Sequence, residues 1–324
     1  MENLQINNIE TLVPTCGVSN DRVQSIEVCQ RIDAIKQRID EKLNRFTDNY
    51  QRHPELKEFV TEAYNILLSP DAKRIRSIIP VLVAESLSMD VEDSLLHGVI
   101  IELLHFTSLI HDDVIDNDSY RRGYPTLNST FAKNQAVLIG DYMLCEVVNY
   151  CLRTRYSSKV IRLVMDASRD LIAGLIIEQN VMPDNPSLEA YSKMVRRKTG
   201  SLISLSFGLP FIADKRMRAA MSCGQDFGFL FQICDDFFDR HQDKSFENIF
   251  HIMSTDDISK LWQEKFSALL STSRKIGIES VVLDVVEYLR PYGYFLGMFE
   301  RLNALSDSDS VTENILRCTR AYGG

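Results

Sequence analysis

A chain of 324 residues, 45% hydrophobic and 25% charged with only 14 Gly and 9 Pro, has the composition of a globular helical protein rather than a β-rich or disordered one. Its net charge of −9 and pI near 5.3 exclude sequence-wide attraction to nucleic acid or an anionic bilayer, so an anionic ligand must meet a local basic cluster. The 7 cysteines are odd in number and lack CxxC or zinc-type spacing, which reads as reduced, mostly buried thiols in a cytoplasmic protein.

Residues 1–22 are polar and aperiodic and read as a flexible arm, with no basic region followed by an apolar stretch. No segment is expected to reach the roughly 18 apolar residues of a membrane span, and the final AYGG does not match a prenylation box. From Val23 to Tyr50, Ile32, Ile35, Ile39, Leu43 and Phe46 recur at helical spacing. Helices are predicted next over 55–68, 73–88, 91–119, 129–153, 158–181, 187–208, 213–240, 256–274, 277–303 and 310–322. No strand-period run of convincing length, repeat or linker divides them, so 23–324 reads as one all-α domain.

Two acidic clusters carry the chemistry. In LLHFTSLIHDDVIDNDSYRRG, residues 103–123, Asp112 and Asp116 share a helical face at the C-terminal end of an apolar helix, with Asp113 beside them. Carboxylates one turn apart repel, and the helix macrodipole disfavours them at that end. Hard cations reverse both penalties, since Mg²⁺ takes carboxylate oxygens, waters and substrate phosphates. In FGFLFQICDDFFD, residues 227–239, the DDxxD spacing recurs as Asp235, Asp236 and Asp239, again after an apolar run. A solvated acidic helix end explains either cluster alone. Two with one spacing, each among large apolar residues, point to a shared metal and diphosphate site.

A diphosphate also needs cations, and three basic clusters flank the acidic ones: Lys73, Arg74 and Arg76; Arg121 and Arg122; and Arg196, Arg197 and Lys198. The order K-R-x-R (73–76), H-x-x-S-L-I-H-D-D-V-I-D (105–116), R-R-G (121–123), G-D-Y (140–142), K-T-G (198–200) and F-Q-x-x-D-D-x-x-D (231–239) resembles the trans-isoprenyl diphosphate synthases over roughly residues 60–240. The resemblance implies an orthogonal helical bundle around a deep central cavity, usually a homodimer, with a heteromer as the alternative. It implies a prenyltransferase that joins an allylic prenyl diphosphate to isopentenyl diphosphate. Asp112, Asp113, Asp116, Asp235, Asp236, Asp239 and Lys198 would be catalytic, with about three Mg²⁺ ions on Asp112, Asp116 and Asp235 first, then Asp113 and Asp239. Arg121, Lys198, Thr199 and Gln232 would hold the allylic diphosphate; Lys73, Arg76, His105, Arg122 and Phe231 would hold isopentenyl diphosphate.

The growing chain would run along the Asp112 face past Ser108 and then Leu104 and Ile101. The small Thr107 and Ser108, where short-chain members often carry an aromatic floor, favour a product longer than farnesyl. The sequence departs from the family at Asp71 and Ala72, in place of two glycines, and at Ser77, in place of a proline. A Gly-Lys after the second motif is also missing, with Lys244 the nearest substitute. A terpene cyclase or other altered prenyl-diphosphate chemistry, or a low-activity partner subunit, are the alternatives these departures raise.

Overall fold

The structure is a computed structural model and describes residues 20–44, 53–182, 184–240, 248–295 and 298. The expected arm up to residue 19, Lys244 and the helix predicted over 310–322 lie outside the described residues. Twelve helices are described: α1 (Asn20–Asn44), α2 (Lys57–Leu67), α3 (Ile75–Ser86), α4 (Val91–Asp116), α5 (Leu127–Thr130), α6 (Lys133–Cys151), α7 (Ser157–Asn180), α8 (Leu188–Lys198), α9 (Gly200–Gly208), α10 (Met217–Asp239), α11 (Thr255–Ile276) and α12 (Glu279–Leu289). Among the described residues the only strands are β1 (Tyr120–Arg121) and β2 (Tyr124–Pro125), paired antiparallel. The all-α expectation therefore holds.

The two helices that end in acidic clusters are the axes of the bundle. α4 packs against α3 and α6, α10 packs against α9 and α11, and α9 touches α3, α4 and α7. Asp90 caps α4 by accepting from the Asp93 amide at 3.1 Å, and Asn117, in the left-handed region at φ 59°, ends it directly after Asp116. Contrary to the sequence reading, α4 is long and apolar enough by length and composition to cross a membrane, with a mean hydropathy of 1.3. Yet 78% of its most apolar stretch is buried within this fold, so it is a core helix.

The helix predicted over 187–208 is broken at Thr199 into α8 and α9. Close packing explains the residue that follows the break. A Cβ placed on Gly228 of α10 would lie 2.9 Å from the Gly200 Cα, so the two helices meet backbone to backbone. Lys198 is left at the end of α8, the last of three basic residues that suit a helix C-terminus.

Candidate active site

The β1–β2 turn separates two arginines that are adjacent in sequence. Arg122 (φ 51°) and Gly123 (φ 80°) both adopt the left-handed conformation of a two-residue hairpin, which accounts for the glycine in R-R-G. Arg121 turns to the first acidic cluster: its Nε donates to Asp113 Oδ1 at 2.8 Å and its Nη2 donates to Asp118 Oδ2 at 3.0 Å. Asp113, 4% exposed, is thereby a partner of Arg121 rather than a carboxylate directed at a shared cation. Arg122 turns the other way, with Nη1 3.4 Å from the Leu67 carbonyl and Nη2 3.7 Å from Glu102.

Glu102 is the hub of this basic half. It sits 1% exposed inside the apolar core of α4, and Arg74, Ser77 and Arg122 converge on it. Burial opposes its ionisation, but Arg74 and its other basic neighbours hold its carboxyl down at about 2. Arg74 also donates to Asp40 of α1 at 2.9 Å, so this member of K-R-x-R is a structural cation. Arg76 is different. Its Nη1 stands 3.5 Å from His105 Nε2, its guanidinium lies over the Phe231 ring at 5.8 Å, and its buried Nε has no partner. Burial, reinforced by Arg76, pushes His105 well below the ordinary imidazole range, so the ring is neutral and its Nε2 accepts.

The acidic half divides in the same manner. Asp236 is fixed in the interior, accepting from Tyr191 Oη (2.8 Å), Gln232 Nε2 (2.9 Å) and the Ile249 amide (2.9 Å). Gln232 in turn accepts from Thr199 Oγ1 at 2.7 Å, which ties the K-T-G segment to the second motif. Asp112 and Asp235 are the destabilised members. Burial raises each carboxyl to about 6, and the buried Asp112 Oδ1 has no hydrogen-bond partner. Asp116 and Asp239 stand exposed at their helix ends.

Lys198 connects the clusters. Its charge partly offsets the burial of the Asp112 carboxyl, and it lines a cavity of about 90 Å³ with Glu178, Thr199, Gln232, Asp236 and Asp239. Asp239 also lines a second cavity of about 260 Å³ with Asp235, Lys73, Phe238, Tyr292 and Tyr294. The second acidic helix end thus borders both cavities. Glu178, ion-paired to Lys198, was not expected from the sequence; it belongs to no motif, and only its place at the end of an amphipathic helix could have signalled it. Of the predicted chain-length residues, Ile101, Leu104 and Thr107 are buried, Thr107 donating to the Leu103 carbonyl at 2.8 Å. Ser108 is partly exposed on the Asp112 face.

Two of the departures are placed by the fold. The exposed Asp71 lies with its Oδ2 3.9 Å from where a Cβ on Gly123 would stand, and Ser77 supports Glu102. The donor set suits magnesium: an unpartnered buried carboxylate oxygen at Asp112 and an unpartnered guanidinium nitrogen at Arg76 ask for a cation and an anion respectively. Among the described residues, no three His, Cys, Asp or Glu side chains form a ready-made metal cage. Mg²⁺ does not need one, since it is commonly held by one or two carboxylates plus substrate phosphates.

Residues 57–269 match the family model for polyprenyl synthetase. A short chain isoprenyl diphosphate synthase of Methanocaldococcus jannaschii is 29% identical over 212 residues, covering 63% of this chain and 63% of that protein. A nonaprenyl diphosphate synthase of Mycobacterium tuberculosis is 32% identical over 56% of each chain, so these two are matched over less than two thirds of their length. A farnesyl diphosphate synthase of Micrococcus luteus is 32% identical over 60% of this chain and 70% of its own. The solved structure of a geranyltransferase from Legionella pneumophila superposes with a TM-score of 0.70 at 22% identity, over 81% of this chain and 96% of that one, and shares the helical fold. With more than half of its length matched by the family model, the chain belongs to the polyprenyl synthetase family.

Proposed function

We propose that this chain is a magnesium-dependent prenyltransferase that ionises an allylic prenyl diphosphate and joins it to isopentenyl diphosphate, giving a longer all-trans prenyl diphosphate. The observation that carries the reading is Lys198, whose positive charge counters the burial of Asp112 while its side chain lines one cavity with Asp239 of the second cluster. Magnesium, about three ions by family resemblance, would supply charge neutralisation of the departing diphosphate and be held by Asp112, Asp116, Asp235 and Asp239.

Lys198, Thr199 and Arg121 bind the allylic diphosphate, Lys198 exchanging Glu178 for phosphate oxygen. Lys73, Arg76 and Arg122 bind isopentenyl diphosphate, with neutral His105 keeping the Arg76 guanidinium aimed. Phe231 and Gln232 flank the reacting end, and the buried rings of α10 exclude water from the allylic cation. When the new carbon–carbon bond has formed, a proton must leave. His105 is a poor acceptor, because burial and Arg76 disfavour its cation, so the proton passes to the released diphosphate.

A product longer than farnesyl is supported by the small, partly exposed Ser108 on the Asp112 face. The relatives are named for products from farnesyl to nonaprenyl diphosphate, so they do not discriminate. A homodimer is supported by the exposed Leu138 on α6 and Ile172 and Ile176 on α7. Five unpaired cysteines among the described residues support a cytoplasmic setting. The test is an incubation with Mg²⁺, an allylic diphosphate and labelled isopentenyl diphosphate. Longer labelled diphosphates are expected, and their loss by two orders of magnitude or more in Asp112→Ala and Asp235→Ala. Alcohols or hydrocarbons alone, or no product, would refute elongation.

A further inference from the structure

The segment after α12 reaches back into the second acidic cluster. Gly293 (φ 84°) and Phe295 (φ 49°) turn the backbone through the left-handed region, an unfavourable conformation for a residue as bulky as phenylalanine. Packing holds it there. Phe295 is fully buried with its ring 4.9 Å from that of Phe227, and its amide donates to Cys234 Sγ at 3.2 Å. Tyr294, between these two turns, is therefore pinned against α10.

From that position it touches groups assigned to both substrates. Its hydroxyl donates to Asp235 Oδ1 at 2.6 Å, and its ring stacks on Phe231 with centroids 4.9 Å apart. The same ring lies 4.4 Å from the Lys73 ammonium, which Tyr292 covers from 4.7 Å. A phenol bonded to one carboxylate oxygen fixes the carboxylate's orientation toward a cation, and such outer partners are commonly worth about 10–100-fold in metal affinity. Aromatic faces hold an ammonium in place without neutralising it, so the charge stays available to an incoming anion.

We propose that Tyr294 is a positioning residue for both halves of the site: its hydroxyl orients Asp235 for the cation, and its ring, with Tyr292, orients Lys73 for isopentenyl diphosphate. The inference rests on the function proposed above and extends the site to a segment beyond the family-matched residues 57–269. Tyr294→Phe and Tyr294→Leu separate the two roles, since only the second removes the ring.

Calorimetric titration of Mg²⁺ with inorganic diphosphate should show roughly tenfold weaker binding in Tyr294→Phe. In steady-state assays the KM for isopentenyl diphosphate should rise about tenfold in Tyr294→Leu and much less in Tyr294→Phe, whose ring still covers Lys73. Magnesium diphosphate binding within twofold of wild type in Tyr294→Phe, or equal KM values in the two variants, would overturn the assignment. A wild-type protein that neither binds magnesium diphosphate nor elongates would instead overturn the functional reading itself.

Discussion

Replacing Asp112 with asparagine should stabilise the protein when no divalent cation is present. Its carboxyl titrates at about 6 in the fold against an ordinary 3.8, chiefly through burial, which Lys198 only partly offsets and which Asp116 and Glu178 reinforce. A folded pKa above the unfolded one means that the protonated form favours folding. That stability is present below about 3.8 and is lost as pH rises through about 6. At about 1.36 kcal/mol per unit, the ionised group costs roughly 3 kcal/mol at pH 7 and about half of that at pH 5. Asparagine keeps the shape but gives up the attraction of Lys198, so a net gain of about 1–3 kcal/mol is expected. At roughly 2 °C per kcal/mol this raises Tm by about 2–6 °C. Thermal melts in chelator at pH 7 and pH 5 would read it, with the gap narrowing at the lower pH. Adding Mg²⁺ and inorganic diphosphate should reverse the order, because the cation stabilises the wild-type carboxylate. An Asp112→Asn protein that melts at or below wild type in chelator at pH 7, or gains as much at pH 5, would refute the claim that this carboxylate is held in an unfavourable ionised state.

Glu102→Gln should lose about 3 kcal/mol in urea unfolding at neutral pH, because Arg74 is left buried without its charge partner. Since the carboxyl is depressed to about 2, that difference should persist above pH 4.5 and disappear as pH falls toward 2; a pH-independent difference would contradict the ion-pair account. Gly228→Ala should cost roughly 1–3 kcal/mol, since its Cβ would meet the Gly200 Cα at 2.9 Å, and unchanged stability would show that α9 and α10 can separate freely. Ser108→Phe should shorten the product distribution seen by mass spectrometry, with unchanged lengths removing this face of α4 from the chain path.

The sequence made the acidic clusters legible because a repeated DDxxD on two apolar helices has few structural explanations. Their internal division of labour was not legible. Asp113 and Asp236 are identical in type to Asp112 and Asp235, and only three-dimensional partners separate them: Arg121, Tyr191 and Gln232 fix the first two, whereas Asp112 keeps an unpartnered oxygen and Asp235 is held by Tyr294. Arg74 resembled its neighbours in K-R-x-R, yet its left-handed backbone (φ 58°) directs it to Asp40 and Glu102. A lone glutamate within VIIELLHF was a readable sign of a buried ion pair. Glu178 and Tyr294 act across 20 and 59 residues of sequence, and neither separation carries a periodic signal. The break at Thr199 escaped notice because both of its sides are helical in pattern.

Asp40, holding Arg74 from α1, and Tyr294, holding Asp235 from beyond α12, both fall outside the span 57–269. A fragment trimmed to that span would keep every recognisable signature of the family and still arrive with a misaimed carboxylate and a buried arginine short of one counter-charge. Shortened versions of this chain should therefore be judged by how well they hold magnesium and diphosphate, because motif content alone would rate them intact.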